Sequence, residues 1–170
     1  MIFLYRTRDF ILKDVVNLSG SLLGFISDII LNFSDKIVQG FVVTPNNLFK
    51  KSLNVFLEDV VSFASIVVVT DTNRKKLLQF SDIKGMNVVN RNGYLIGIVE
   101  DILFDKSTFS IKAIILSIGF INNFIDGKKI LLIDDLILGE KNLLYRGESE
   151  NLRFSNSPYK LLDLKEREKV

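Results

Sequence analysis

The chain has 170 residues, 48% of them hydrophobic, and a formal net charge of +2, which suits one ordinary domain or two small ones. Because it contains no His and no Cys, the composition excludes His/Cys zinc sites, disulfides and Ser-His or Cys-His catalytic pairs. The near balance of charge gives no long-range field that would draw the chain to nucleic acid or to an acidic membrane. The absence of Cys fits a reducing compartment, so we expect a cytoplasmic protein.

No stretch of the sequence has the length and apolarity of a membrane-spanning helix, which needs about 20 apolar residues. The two longest apolar runs, residues 22–31 and 60–69, are interrupted by Asp28 and by Ser62. The first eight residues lack a basic segment ahead of an apolar one and are too short for a signal peptide. We therefore expect neither an integral membrane segment nor a secretory leader.

Residues 15–32 and 88–105 carry the same pattern twice. Each stretch opens with Val-Val-Asn, continues through two glycines and reaches an Asp-Ile pair. A constant internal offset predicts two copies of one small structural unit. The matched positions, all 73 residues apart, are Gly20 and Gly93, Gly24 and Gly97, and Asp28 and Asp101.

Taken in order, the sequence predicts short strands separated by turns. An opening strand with a turn near Arg8 lies within residues 3–12, and further strands are predicted at residues 15–18, 22–31, 37–44, 55–57 and 66–70. The second copy repeats this order, with an Asn-Gly hairpin turn at residues 91–94. The offset becomes 76 in its later part, which places a three-residue insertion in the loop near residues 117–121.

The tail has a different composition. Residues 146–156 are polar and are predicted to be irregular, whereas Ser157-Pro158 would begin a short helix over residues 159–169.

Many short strands with Gly and Asn turns are typical of an all-β fold. We predict two tandem small β-barrels related by the internal repeat. The expected division is a first barrel at residues 1–72, a linker at 73–79, a second barrel at 80–147, and a polar C-terminal tail or helix at 148–170. The alternative is one larger sheet shared between the halves; the charged linker and the complete repeat favour two barrels.

Each copy resembles a PRC-barrel repeat. In the second copy the resemblance rests on Val88-Val89, on Gly93 and Gly97, on Asp101-Ile102-Leu103-Phe104-Asp105, on the β-branched segment 111–116 and on residues 130–135. The first copy departs from the pattern at Asn32 and at Glu58-Asp59. The resemblance implies a bacterial protein with two roughly six-stranded barrels. It implies no catalytic residues and no cofactor, since the family includes a domain of a photosynthetic reaction-centre subunit, a domain of a ribosome maturation factor and short proteins associated with sporulation.

The repeated glycines and carboxylates are interpreted as structural. Gly20, Gly24, Gly93 and Gly97 lead into no helix and precede no Lys-Ser/Thr, so they suit turns and bends better than a phosphate-binding loop. Asp28 and Asp101 lie in apolar surroundings and are expected to accept backbone amides. Adjacent carboxylates on a strand point to opposite faces. We therefore expect no metal or paired-carboxylate site at Glu58-Asp59, Glu100-Asp101 or Asp134-Asp135.

Two matched loops each contain two Asn, two apolar residues and then a basic pair. Their apolar side chains either close the end of a barrel or are displayed to a partner. The basic pairs either are solvated or meet an acidic group. The candidate partner-binding residues are Leu48, Phe49, Lys50, Lys51, Phe120, Phe124, Ile125, Lys128 and Lys129.

The expected function is that of a non-enzymatic adaptor or scaffold, which binds a protein partner or a second copy of itself through these loops. The alternative is an RNA- or ribosome-associated factor that uses the basic cluster Arg74, Lys75 and Lys76 together with the loop lysines. A third hypothesis is peripheral membrane contact through Phe49, Phe120 and Phe124. The sequence does not name the partner.

Overall fold

A computed structural model describes residues 4–47, 49–118 and 128–147, together with the backbone of residues 153–155. The chain divides into two compact units. The first unit is Thr7–Asp82, and the second combines Met1–Arg6 with Ile83–Val170. Both are built almost entirely from β-strands.

The strands of the described residues correspond between the two copies of the repeat. A short helix, α1 (Phe80–Ile83), precedes the second copy, and single 3₁₀ turns occupy Thr7–Asp9, Leu57–Asp59 and Ile133–Asp135. In chain order the strands are β1 (Leu4–Tyr5), β2 (Asp14–Asn17), β3 (Leu22–Asn32), β4 (Ile37–Thr44), β5 (Leu53–Phe56), β6 (Val60–Phe63), β7 (Ile66–Val69), β8 (Asn87–Val89), β9 (Leu95–Asp105), β10 (Ile111–Ser117), β11 (Lys128–Leu132), β12 (Leu136–Leu138), β13 (Asn142–Tyr145) and β14 (Arg153–Ser155).

Both units have the same strand order. Hydrogen-bonded neighbours follow the order β5-β4-β3-β2-β7-β6 in the first unit and β11-β10-β9-β8-β13-β12 in the second. Neighbouring strands are antiparallel except for β2 with β7 and β8 with β13, which are parallel. The second unit adds β14 beside β11 and β1 beside β9. The prediction of an all-β chain with two tandem units is therefore confirmed.

Close backbone approaches explain two glycines of the first unit. A Cβ atom on Gly24, whose φ is +151°, would lie 2.2 Å from the carbonyl oxygen of Thr44. A Cβ atom on Gly40 would lie 2.1 Å from the carbonyl oxygen of Val55. No side chain fits at these distances, so both positions need glycine for β3, β4 and β5 to keep their spacing.

Each unit has its own aromatic and aliphatic core. In the first unit the rings of Phe10 and Phe41 stack with centroids 4.9 Å apart, and Phe63 packs edge-on against both. In the second unit Phe104 lies 5.9 Å from Tyr5, measured between ring centroids. Val and Ile residues are prominent among the buried residues of each unit, where their stiff β-branched side chains pack well.

The segment that precedes each repeat pairs with the other repeat. β1 comes before the first repeat in the chain, yet Leu4 and Tyr5 pair with β9 of the second unit. Residues before the second repeat behave in the same way, since the amide of Leu31 in β3 donates to the carbonyl of Leu78 at 2.9 Å and Gln79 bridges to Ile30. We call residues 4–6 and 77–82 the leading segments.

Several elements differ from the sequence-based prediction. β6 was not predicted, because its residues are only partly buried and show no clear alternation. The predicted strand at residues 3–12 is limited to β1 and is followed by a 3₁₀ turn. β14 lies inside the stretch predicted to be irregular, since backbone pairing with β11 supplies an order that polar composition does not reveal. The helix predicted at residues 159–169 lies outside the described residues.

Candidate partner-binding cleft

A small cleft in the first unit brings together residues that are far apart in the sequence. Its apolar floor consists of Leu22 and Leu23 at the start of β3, Pro45 after β4, and Leu53 at the start of β5. The cavity measures ≈ 260 Å³ and adjoins another of ≈ 170 Å³ that reaches Asn46 and Asn47. Typical small-molecule sites occupy about 300–1,000 Å³. The cleft is thus sized for one or two side chains.

Three cations border this floor, and we call Lys50, Lys51 and Arg74 the cationic rim. All three are exposed. Within the part of the chain that the structure describes, none of them forms an ion pair. Because no Asp or Glu is among the described residues that line this cavity, an anionic group that approached the floor would be attracted electrostatically.

Phe49 lies in the same loop as Asn47 and Lys50, two residues that line the cavities of the cleft. Its side chain is 98% exposed, so the ring does not close the end of the barrel. The loop is shaped by Asn47, whose side-chain oxygen accepts the Phe49 amide at 2.9 Å and whose carbonyl accepts the Lys50 amide at 3.0 Å. This Asx turn projects the phenyl ring into solvent. Leu48, which was predicted with it, lies outside the described residues.

The matched part of the second unit has different chemistry. Lys129 occupies the position of Leu53, and its ammonium donates to the carbonyl of Ile96, the counterpart of Leu23, across 3.4 Å. Burial lowers the pKa of this amine. Its neighbour Lys128 forms an ion pair with Glu100. The lysines therefore interact with their own unit. Phe120, Phe124 and Ile125 lie outside the described residues.

Two residues of the basic cluster 74–76, Arg74 and Lys75, line different cavities. Arg74 borders the cleft, whereas the Lys75 ammonium lies 5.9 Å from the centre of the Phe56 ring. Lys75 also lines a wider cavity of ≈ 510 Å³ together with Glu58. One charge of each sign gives that cavity no net preference for an ion. Lys76 is exposed.

The matched carboxylates Asp28 and Asp101 each bind a leading segment. One oxygen of Asp28 accepts the amide of Ile29 at 2.7 Å and the other accepts the amide of Ser81 at 3.2 Å. Asp101 likewise accepts the amide of Ile102 at 2.9 Å, but its second oxygen receives the Arg6 Nε at 2.8 Å. The ion pair with Arg6 was not predicted from the sequence.

The remaining predicted structural residues lie in turns and strands. Gly20 and Gly93 have φ values of +79° and +80° and close matched hairpins, where glycine avoids a steric penalty. In the second unit Gly97 lies in β9, and a Cβ there would be 2.9 Å from the Ser117 carbonyl oxygen. The acidic pairs at residues 58–59 and 134–135 lie in 3₁₀ turns. Among the described residues, no three carboxylates converge on a point where a metal ion would fit.

In the sequence, Lys50 and Lys51 belong to a loop and Arg74 to the linker cluster, more than twenty residues away. The structure places all three on one cleft. The hairpin of β3 and β4 gives a sequence signal that the start of β3 lies near Pro45. No local pattern signals that Arg74 returns to the same place.

This architecture defines a class of protein: two tandem small β-barrels with the same strand order, one of which carries an apolar cleft with a cationic rim. The model of the PRC-barrel domain matches residues 4–77 and again residues 75–143. The chain belongs to the PRC-barrel family. No curated protein matches it. A separate search of the described helices found none whose length and hydropathy would allow it to cross a membrane.

Proposed function

We propose that this protein is a non-enzymatic adaptor that binds a protein partner through the cleft of its first unit. The observation that carries the proposal is the 98% exposed ring of Phe49, in the loop whose next residue, Lys50, borders the apolar floor. Exposed aromatic side chains next to a pocket are frequent anchors of protein interfaces. The lack of His and Cys limits acid-base and nucleophilic chemistry, and lack of Cys supports a cytoplasmic location.

RNA binding is the second candidate function. It is favoured by the convergence of Lys50, Lys51 and Arg74 around one cleft, because cations that follow a groove attract a phosphate backbone. Phe49 would then offer a ring on which a base stacks. The wholly aliphatic floor of the cleft supports the protein partner over RNA.

Site-specific photo-crosslinking in living cells tests the two functions. A photoreactive phenylalanine replaces Phe49 in one variant and Tyr94, which is 70% exposed in the second unit, in a matched control. We expect a discrete adduct with another protein at position 49, resistant to nuclease, and no such adduct at position 94. An adduct of twice the chain's mass would identify a second copy as the partner.

Two results would count against the adaptor function. Adducts that disappear after nuclease treatment would support RNA binding instead of protein binding. Equal adduct patterns at positions 49 and 94 would mean that the crosslinks report random collisions with exposed surfaces.

A further inference from the structure

We infer that the cleft of the first unit recognises an acidic peptide segment in which carboxylates flank a single apolar side chain. This inference rests on the proposed adaptor function and names the chemistry of its partner. The apolar side chain would sit on the leucine and proline floor, and the carboxylates would meet the cationic rim. The second unit would not bind the same segment.

The apolar floor indicates which kind of side chain the peptide segment places in the cleft. Pro45 is buried, Leu23 and Leu53 are half-buried, and Leu22 is 51% exposed, so the floor is apolar yet open to an incoming group. A volume of ≈ 260 Å³ accommodates a leucine- or phenylalanine-sized side chain. None of the described residues that line this cavity is aromatic, although single-stranded nucleic acids are held by stacking on aromatic rings. A peptide fits these features better than a base.

The cationic rim indicates which charges the peptide carries on either side of its apolar side chain. Lys50, Lys51 and Arg74 approach the floor from the loop after β4 and from the segment after β7. The residues that line the cavity include no Asp and no Glu. Arg74 can engage a carboxylate through two parallel hydrogen bonds, and the lysines add less directional attraction. Charge complementarity therefore favours acidic residues on both sides of the apolar anchor.

The internal repeat supplies the specificity argument. Where the first unit has Leu53, the second has Lys129, whose ammonium reaches the Ile96 carbonyl. An ammonium at that place makes a floor unsuitable for an apolar side chain, because the incoming side chain would displace water from the charge and offer it no hydrogen-bond acceptor. One chain is accordingly expected to bind one peptide.

The first step of the test is selection of a random peptide library on the full-length protein, with counter-selection on the Leu53→Lys variant. We expect the selected peptides to contain Asp or Glu on both sides of a Leu, Ile or Phe. Binding of one selected peptide, carrying a label, is then measured with wild-type protein, Leu53→Lys and Leu22→Lys. Leu95→Lys, at the matched position of the second unit, is the control; its leucine is 61% exposed.

Both floor variants add positive charge while removing the apolar contact. We expect Leu53→Lys and Leu22→Lys to weaken peptide binding about tenfold or more, as loss of one anchor does, and Leu95→Lys to leave it unchanged. Leu22→Lys keeps the test valid if Leu53→Lys fails to fold. Arg74→Glu should also weaken binding, and added salt should weaken binding to the wild type.

Other outcomes overturn the inference. One is a selection that yields no binding peptide, and another is a set of selected peptides without an excess of acidic residues. A third is a loss of peptide affinity with Leu95→Lys as large as that with the floor variants. A single-stranded oligouridylate probe that bound as well or better to Leu53→Lys would instead indicate a phosphate-binding surface. If crosslinking at position 49 still captured a protein, the adaptor function would survive the failure of the acidic-peptide inference.

Discussion

Replacing Arg6 with Met should destabilise the second unit strongly, although Arg6 lies at the opposite end of the sequence from most of that unit. Its Nε lies 2.8 Å from the Asp101 carboxylate, and the two side chains are only 12% and 7% exposed. Removal of Arg6 takes this cation away from the buried carboxylate of Asp101, which keeps the Ile102 amide as a hydrogen-bond donor. Such losses cost about 3–5 kcal/mol in the free energy of unfolding.

The change in melting temperature follows from this cost. For chains of 150–250 residues, 1 kcal/mol corresponds to about 2–4 °C, so Arg6→Met should lower the melting temperature by about 6–20 °C. Urea titration followed by circular dichroism gives the free energy directly. The control is Arg8→Met, because Arg8 is exposed.

A double-mutant cycle separates the ion pair from the packing of the arginine side chain. In the Arg6→Met background, Asp101→Asn should recover part of the lost stability, since a neutral amide is less costly to bury than an unpaired carboxylate. A change below about 1 kcal/mol for Arg6→Met would show that the pair behaves as an exposed one. A further loss on adding Asp101→Asn would refute the buried-charge explanation.

Three other predictions concern differences between the copies. Gly40→Ala should lower the free energy of unfolding by about 1–3 kcal/mol in an unfolding titration, since the added Cβ would meet the β5 backbone at 2.1 Å. The matched buried position of the second unit is Ala113, and Ala113→Gly should cost only about 1 kcal/mol or less. Equal costs for the two variants would contradict the close approach of β5 to Gly40. Hydrogen bonds from Ser107 and Thr108 lower the pKa of Asp105 to about 2 from 3.8. A depressed pKa stabilises the fold above about pH 4 and this stabilisation is lost as the pH falls towards 2, so Asp105→Asn should flatten that part of a stability-against-pH curve, and an unchanged curve would oppose it. Lys128→Ala removes a pair whose side chains are 36% and 30% exposed, so a thermal melt should report a loss below about 1 kcal/mol; a larger loss would show that the pair is effectively buried.

The internal repeat made much of the fold accessible from the sequence. Two copies of Val-Val-Asn and of the paired glycines predicted the same strand order twice, and the order is the same. The positions of Gly20 and Gly93 followed from turn chemistry, which depends on neighbouring residues alone. Elements defined by short-range patterns are those that sequence reasoning recovers.

Long-range pairing was not accessible in the same way. The contacts of Arg6 with Asp101 and of Gln79 with Ile30 join segments whose local sequences carry no sign of their partners. The cationic rim is a similar case, because Arg74 was grouped with its neighbours in sequence and not with Lys50. An offset between copies reveals equivalent positions, but it does not reveal which copy supplies the adjacent strand.

Because each leading segment pairs with the other repeat, the order of synthesis decides when each unit can complete its sheet. Residues 4–6 leave the ribosome before their partner strand β9, which ends at Asp105, about a hundred residues later. At about 5–20 residues per second, this interval lasts roughly 5–20 s. The first unit, in contrast, is complete once residues 77–82, its own last residues, have been synthesised. When several ribosomes translate one messenger RNA, the unpaired β1 strands of neighbouring nascent chains are the segments most prone to pair with the wrong chain.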